Sequence, residues 1–408
     1  MTIAHPIARG WVSTGGTGAQ NYDEFADDAE ITAIIEANPA SALGVEMPHR
    51  TPEAAGRSFT DALPAAAQRL KALQDDGHFR AAEQAIAVYR IAGDAGTAYG
   101  LFCMIDTDQI SASADEPGLV IRNEDVFVEK VRERTALATA TGHLLSPVLL
   151  LQTGKGAELQ AALAAATGQL GEPAVTDTDP QGRAHAVWLL APSPLADELL
   201  GLVGGGELIV ADGNHRSLAA QTGGLARFLA VVTTPESVVI DPYNRLVSEL
   251  PLPIDELLAL LKARRATVEE LPGRPEVPTT GGTIHLYAAG KGYAVQLPVP
   301  GDAPVVDRLD HSVVEQLLFR TTLGLDPGDK RITYVGGDYP ASWLCGEVDA
   351  ERAALAVLIA PVTVDDFVAV NLDRQKMPRK STWFTPKARA GLVLAELPTS
   401  GAAPGTAP

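Results

Sequence analysis

Five consecutive residues that could take part in chemistry lie between a short apolar stretch and a helix-forming stretch. They are Asp212, Gly213, Asn214, His215 and Arg216, in the segment ELIVADGNHRSLAAQ. The apolar stretch 207–210 predicts a short buried strand, and the residues from Ser217 onward predict a helix. The N-terminus of a helix offers unpaired backbone N–H groups and the positive end of the helix dipole, so this corner suits an anion.

The side chains at this corner indicate which anion it suits. Gly213 lets a ligand approach the backbone closely, Arg216 supplies a planar cation that matches phosphate oxygens, and His215 supplies a donor or a titrating group. Asp212 repels phosphate, but it can hold Mg²⁺ that bridges phosphates, or accept a proton from a hydroxyl. The corner therefore indicates metal-assisted phosphoryl chemistry. The alternative is a simple cap, in which Asp212 or Asn214 caps the helix while His215 and Arg216 face water.

Two further segments concentrate charge. Residues 120–134 predict a helix that begins near Glu124, with the charged residues Arg122, Glu124, Glu129, Lys130, Arg132 and Arg134. The alternative is a solvated helix face with i, i+4 pairs.

Residues 376–392 form a basic, non-helical segment with Lys376, Arg379, Lys380, Lys387, Arg389 and the hydroxyls of Ser381 and Thr382. We interpret this second segment as a lid over an anion or a nucleotide. A disordered basic tail is the weaker alternative, because Trp383 and Phe384 favour burial.

The elements that must position these residues mix helices and strands along the whole chain, which predicts the α+β class. Residues 84–92 and 98–106 predict a β-hairpin, and residues 52–77 predict a helix interrupted near Pro64. We divide the chain into an N-terminal α/β segment (1–95), a central core (96–235), a C-terminal α/β domain that contains the basic segment (236–397) and a disordered tail (398–408).

Composition narrows the function classes. The chain has 408 residues, a formal net charge of −19 and a pI near 4.8, which argues against binding duplex nucleic acid. Two distant cysteines indicate a reducing compartment without a disulfide framework. The sequence shows no signal peptide and no membrane span, so we expect a cytoplasmic protein. Nothing in it indicates the oligomeric state.

Three ordered motifs resemble one family. ADGNHRSLA resembles an Ala-Asp-Gly-His-His-Arg motif, IRNEDVFVEKVRER followed by SPVLLL resembles a His-Glu-bearing helix and a Ser-Pro-Val strand, and KMPRKSTWFTPKARAGLV resembles a Met-Pro-Pro-Lys-Ser-Thr-Tyr-Phe-Tyr-Pro-Lys segment. These are the motifs of the DUF1015 ("phosvitin") family, which is related to the free serine kinases. The resemblance implies a mixed-sheet core like that of ParB and sulfiredoxin, with additional N- and C-terminal α/β segments.

The resemblance also implies a reaction and a set of site residues. The free serine kinases phosphorylate the hydroxyl of L-serine with ATP or ADP, giving O-phospho-L-serine. By resemblance, Glu124 is the catalytic base, while Asp212 and His215 belong to the catalytic set. Asp212 is also the expected Mg²⁺ ligand. The expected nucleotide-binding residues are Gly213, Asn214, His215, Arg216, Lys380, Ser381 and Thr382.

The chain departs from the family pattern in ways that bear on the substrate. Asn123, Asn214 and Asn244 stand where the family has histidine, and asparagine can form hydrogen bonds but cannot titrate. Val126 and Phe127 replace a Thr-Arg pair, which removes one expected cation, and residues 20–21 replace a Pro-Pro pair. Three alternatives therefore stay open: a kinase of another small hydroxyl compound such as threonine or an amino alcohol, a ParB-like nucleotide switch, and a non-catalytic member of the family.

Overall fold

The computed structural model describes residues 3–25, 27–111, 118–299 and 301–398. All but the first residue of the predicted disordered tail (398–408) lies outside the described residues. The chain forms two compact units, of which the first comprises residues 1–238 and 386–408 and the second comprises residues 239–385. Within the described part of the chain, no helix combines the length and the apolar character that a membrane span requires.

The elements of the first unit follow one another in chain order. They are β1 (Ala4–His5), β2 (Ile7–Ser13), α1 (Asp28–Ala37), α2 (Leu43–Glu46), α3 (Phe59–Asp75), β3 (Phe79–Gly93), β4 (Gly96–Asp106), β5 (Val120–Arg122), α4 (Val128–Thr141), β6 (His143–Leu144), β7 (Val148–Gln152), α5 (Gly156–Gln169), β8 (Val175–Thr178), β9 (Ala184–Leu190), α6 (Pro194–Val203), β10 (Leu208–Asp212), α7 (Asn214–Thr222) and β11 (Arg227–Thr233).

The elements of the second unit are β12 (Val239–Asp241), β13 (Asn244–Val247), α8 (Ile254–Ala263), β14 (Thr267–Leu271), β15 (Thr283–Ala288), β16 (Lys291–Gln296), α9 (Val305–Arg308), α10 (Asp310–Val313), a π-helical continuation (Val314–Leu323), β17 (Ile332–Val335), α11 (Ala341–Asp349), β18 (Leu355–Leu358), α12 (Val364–Leu372) and β19 (Trp383–Thr385). The chain then returns to the first unit with β20 (Val393–Glu396).

A mixed sheet forms the centre of the first unit, in the order β5-β10-β7-β11-β4-β3-β2-β20-β6. β5 with β10, and β7 with β11, are parallel pairs, whereas the other neighbours in this order are antiparallel. The predicted α+β class is therefore confirmed, and the predicted hairpin at 84–92 and 98–106 is confirmed as β3 and β4. This sheet takes strands from both sides of residue 95 and adds β20 from the C-terminal part. The four-segment division of the sequence stays a prediction.

The two strands beside the predicted site, β7 and β10, are buried except at Asp212. Every residue of β7 is buried, and so are the first four residues of β10. Leu150, Leu208 and Val210 belong to one apolar core cluster together with Leu159 of α5 and Leu199 of α6. A central strand covered on both faces reads as a continuous apolar run, which explains why the sequence before Asp212 is apolar without alternation.

Helix α3 differs from its prediction. It runs without interruption from Phe59 to Asp75 although Pro64 lies inside it. Its residues Ala62, Ala66 and Leu70 are buried, and their packing against the rest of the unit compensates for the hydrogen bond that proline cannot donate.

The second unit has a wholly antiparallel six-stranded sheet in the order β14-β16-β15-β18-β13-β17. Its core contains a buried histidine, His311, which is 1% exposed. The Nε2–H of His311 donates to the Tyr243 carbonyl at 3.2 Å. Burial, together with the nearby Arg245 guanidinium, lowers the pKa of His311 from 6.5 to about 3.

This buried histidine predicts an acid dependence of stability. Between its folded pKa and its ordinary pKa, the unfolded chain binds a proton that the folded protein does not. The contribution of His311 to the free energy of unfolding is therefore fully present above about pH 6.5 and is lost as the pH falls toward 3. From pH 7 to pH 5 the free energy of unfolding should fall by about 2 kcal/mol from this group alone. His311→Gln, which keeps an N–H donor, should remove that fall in urea unfolding followed at both pH values.

The control for this prediction is His285→Gln, at a half-exposed histidine of the same unit. That variant should keep the wild-type pH dependence. An unchanged pH dependence in His311→Gln contradicts the assignment of the acid sensitivity to this residue.

Candidate functional site

The corner at Asp212 is a strand end followed directly by a helix. β10 ends at Asp212 with a register shift against β7, and α7 begins at Asn214 rather than at Ser217. Gly213 between them is left-handed, with φ +95° and ψ 31°, and is the N-cap without a side-chain cap bond. The first intrahelical bond runs from the Ser217 N–H to the Gly213 carbonyl at 2.9 Å. An anion site at a helix N-terminus uses the backbone N–H groups of this first turn.

Asp212 and Arg216 form a largely buried ion pair one helical turn apart. Arg216 Nη2 donates to Asp212 Oδ2, and Arg216 Nη1 donates to Asn21 Oδ1 at 3.2 Å and to the Pro147 carbonyl. The side chains of Arg216 and Asp212 are 9% and 17% exposed. Burial opposes the charged guanidinium, but Asp212 and Asp23 outweigh it and raise the pKa of Arg216. The capping alternative, in which Arg216 faces water, is therefore wrong.

Three residues that the sequence analysis did not assign to the catalytic or nucleotide-binding set extend this pair. Lys387 Nζ lies 3.9 Å from Asp212 Oδ1 and 3.9 Å from Glu24 Oε1. Asn21 joins the two pairs, since its Oδ1 accepts from Arg216 while its Nδ2 donates to Glu24 Oε1 at 2.7 Å. Burial raises the pKa of Glu24, and Lys387 opposes that rise. The site is thus a cluster of alternating carboxylates and cations.

The predicted base, Glu124, follows the strand beside β10. β5 and β10 are parallel, with Arg122 opposite Val210, so both strands end at the same edge of the sheet. Asn214 Nδ2 donates to Asn123 Oδ1 at 2.5 Å. Glu124 is half-buried and follows Asn123 directly. The structure therefore brings the segment of Glu124 and the corner of Asp212 together. Two asparagines that replace family histidines hold these segments to each other.

His215 is buried and has a defined hydrogen-bond role. The Phe127 backbone N–H donates to His215 Nε2 at 3.1 Å, and the two rings stack with centroids 6.1 Å apart and planes at 4°. Nε2 is therefore an acceptor, and Nδ1 is the ring nitrogen that carries the proton. A neutral His215 in this tautomer can donate to a ligand through Nδ1, but it cannot take up a proton at Nε2 without losing the bond from Phe127.

Lys380, Ser381 and Thr382 belong to the second unit. Lys380 has φ +54°, and its Nζ lies 5.8 Å from the centroid of the Tyr243 ring. Ser381 is 1% exposed. Asn244, the third asparagine at a family histidine position, accepts from the Ile359 N–H at 3.0 Å and so has a structural partner. Binding of a nucleotide by residues 380–382 stays a prediction.

Only part of a magnesium site is recognisable in this cluster. Among residues 3–25, 27–111, 118–299 and 301–398, no three His, Cys, Asp or Glu side chains form a group that could hold a metal ion. Protein-bound Mg²⁺ commonly has one or two carboxylate ligands and takes the rest from phosphates and water. Asp212 fits such a single-carboxylate role, in which the ion would neutralise phosphate charge. The role stays a prediction.

Comparison with known proteins places the chain in a family. The model of the family described as "Protein of unknown function (DUF1015)" matches residues 17–312, which is more than half of the chain. No curated protein matches.

Among solved structures, a free serine kinase in complex with AMP is 13% identical with a TM-score of 0.37, over 70% of this chain and 87% of that chain. SbnI with C-terminal truncation from Staphylococcus aureus is 12% identical with a TM-score of 0.40, over 71% and 85%. A conserved hypothetical protein from Pyrococcus furiosus is 13% identical with a TM-score of 0.35, over 71% and 95%.

The corner makes a specific demand on Gly213. A Cβ at this position would lie 3.0 Å from Arg216 Nε and 3.2 Å from Arg216 Nη2. That guanidinium is held by three partners and cannot shift without weakening its pair with Asp212. Gly213→Ala should therefore lower the free energy of unfolding by about 3 kcal/mol, from backbone strain and the disturbed buried pair together. Urea denaturation measures the change.

Gly224→Ala is the matched control, because Gly224 also has a positive φ, +73°, but open space where a Cβ would lie. It should cost about 1 kcal/mol from strain alone. Equal losses in the two variants would show that Arg216 does not constrain Gly213.

Proposed function

The chain belongs to the DUF1015 family, and from this premise we propose that it is a small-molecule kinase that transfers a phosphoryl group from ATP or ADP to the hydroxyl of free L-serine, giving O-phospho-L-serine. The observation that carries the proposal is the cluster of Asp212, Arg216 and Lys387 at the N-terminus of α7, beside the segment of Glu124. Each part of this cluster has a use in phosphoryl transfer.

The phosphate-binding part consists of backbone and cations. The N–H groups of Asn214, His215 and Arg216 form the first turn of α7 after the left-handed Gly213, and a helix N-terminus of this kind binds anionic oxygens. Lys387 lies 3.9 Å from Asp212 and adds a compact positive charge. Arg216 acts mainly by holding Asp212, since its guanidinium is already bonded within the protein. Phosphoryl transfer depends chiefly on such positioning and charge stabilisation.

Glu124 is the proposed general base. It is half-buried at the sheet edge where Asp212 also lies, and a carboxylate there can take the hydroxyl proton as attack proceeds. His215 is proposed as a hydrogen-bond donor through Nδ1 rather than as a base, because its Nε2 accepts from Phe127. Lys380, Ser381 and Thr382 are proposed as nucleotide-binding residues on the motif resemblance alone.

Serine as the acceptor comes from the motif resemblance alone. The alternatives are a kinase that acts on threonine or an amino alcohol, and a ParB-like switch that has no acceptor. An assay of nucleotide turnover with and without an acceptor distinguishes them. A kinase consumes nucleotide in proportion to a hydroxyl acceptor, whereas a switch turns it over slowly without one.

The kinase proposal makes a prediction about the two carboxylates, Glu124 and Asp212. In ³¹P NMR with Mg²⁺ and ATP or ADP, the protein should form a phosphomonoester only when L-serine or a related hydroxyl compound is present. Glu124→Gln and Asp212→Asn should each lower the rate about a hundredfold or more, the scale expected for losing a base or a key charge. Glu129→Gln, on the exposed face of α4, should keep the rate. Near-native rates in both site variants would refute these roles.

The kinase proposal also makes a prediction about Lys387. Lys387→Met removes the cation between Glu24 and Asp212 and should weaken ADP binding about tenfold or more, the scale of one charged hydrogen bond. Isothermal titration calorimetry measures the affinity. Lys376→Met, at an exposed lysine of the same basic segment, should bind ADP as the wild type does. Equal affinities in all three proteins would exclude Lys387 from the nucleotide site.

A further inference from the structure

A partly open cleft lies between α4 and α7 in the first unit. It encloses about 580 Å³ including its mouth, and β6 and the residues that follow it contribute to its wall. Most of the wall is apolar, with Leu137, Ala138, Leu144, Leu145, Ala219 and Leu225 among its residues. Seven polar residues also line it: Glu46, Arg134, Thr135, Thr139, His143, Ser146 and Arg216. A cleft with apolar walls and a few convergent polar groups is the usual form of a small-molecule site.

Two of these polar side chains are buried charges with incomplete hydrogen bonding. Glu46 is 3% exposed and Arg134 is 7% exposed. Ser146 Oγ donates to Glu46 Oε1, and Arg134 Nη1 donates to the Glu46 backbone carbonyl at 3.3 Å. Among the residues that the structure describes, Glu46 Oε2 and the Nε and Nη2 of Arg134 have no hydrogen-bond partner. Unsatisfied buried charged groups are costly and call for an explanation, which a ligand supplies.

The charges at this end of the cleft are of both signs. Arg216 is paired with Asp212, and Glu46 and Arg134 are the two other residues in the wall that carry a full charge. Arg134 also lies over the Tyr22 ring, 4.0 Å from its centroid, which fixes the guanidinium. Burial raises the pKa of Glu46, and Arg134 and Ser146 oppose the rise. An added ammonium group beside Glu46 would favour its charged form further.

We propose that this cleft binds an apolar α-amino acid. Its ammonium group lies against Glu46 and Ser146, its carboxylate against Arg134, and its hydrocarbon side chain between α4 and α7. A zwitterion matches one carboxylate and one guanidinium, and the apolar walls select an aliphatic side chain over a polar one. The site is additional to the proposed kinase reaction and does not depend on it, although Arg216 lies between the cleft and Asp212.

Calorimetric titration of the full chain tests this site, with L-leucine as the probe. L-leucine should bind, while 4-methylpentanoate, which lacks the ammonium group, and leucinol, which lacks the carboxylate, should bind at least tenfold more weakly. Ala138→Leu places a larger side chain in the cleft and should weaken L-leucine binding at least tenfold. Ala140→Leu, an exposed position on the same helix, is the matched control and should bind normally. Urea unfolding of both variants checks that they fold.

Three results would overturn the proposal. These are absence of binding by L-leucine, equal binding of L-leucine and its two analogues, and unchanged affinity in the folded Ala138→Leu variant. L-serine is titrated in parallel, because serine binding that survives Ala138→Leu reports the proposed kinase site. If serine is the only amino acid that binds and it is insensitive to Ala138→Leu, the cleft proposal fails while the kinase proposal stands.

Discussion

The buried ion pair between Asp212 and Arg216 is the interaction on which the rest of the site depends. A charge removed from water must be paired and hydrogen-bonded or it destabilises the fold. Arg216 meets that demand with partners from three separate segments: Asp212 at the end of β10, Asn21 near the N-terminus and the Pro147 carbonyl before β7. The pair therefore fixes the first turn of α7 against the sheet edge and draws the N-terminal segment to it.

Buried ion pairs also hold the C-terminal segment of the chain against the first unit. Lys387 lies between Glu24 and Asp212. Two residues later, Arg389 Nε lies 2.6 Å from Asp177 Oδ2, and its Nη2 donates to the Gly18 carbonyl at 2.8 Å. β20 then pairs with β2. Segments from both ends of the chain thus meet at one corner, where carboxylates and cations neutralise each other in pairs. Such a cluster holds its charges in fixed positions without a ligand, which is the condition for electrostatic preorganisation.

The sequence was sufficient to predict features formed by neighbouring residues, but not contacts between residues far apart in the chain. The strand, the glycine and the helix start are contiguous, so residue types and order sufficed to predict the corner, although α7 begins three residues earlier than expected. The β3–β4 hairpin was predicted for the same reason. Asn21 and Glu24 were not predicted as site residues, and Lys387 was predicted only as part of the basic segment, because the contacts Asn21–Arg216 and Lys387–Asp212 join residues that lie far apart in the sequence. The tautomer of His215 depends on Phe127, 88 residues away, and no sequence pattern encodes it.

The central claim is that the first turn of α7 binds the phosphates of a nucleotide, and backbone NMR tests it most directly. In ¹⁵N-TROSY spectra of the full chain titrated with ADP, the amide signals of Asn214, His215 and Arg216 should move together and saturate at one dissociation constant, with the Lys387 amide following the same curve. ADP binding that leaves these four amides in place while moving signals elsewhere would contradict the account.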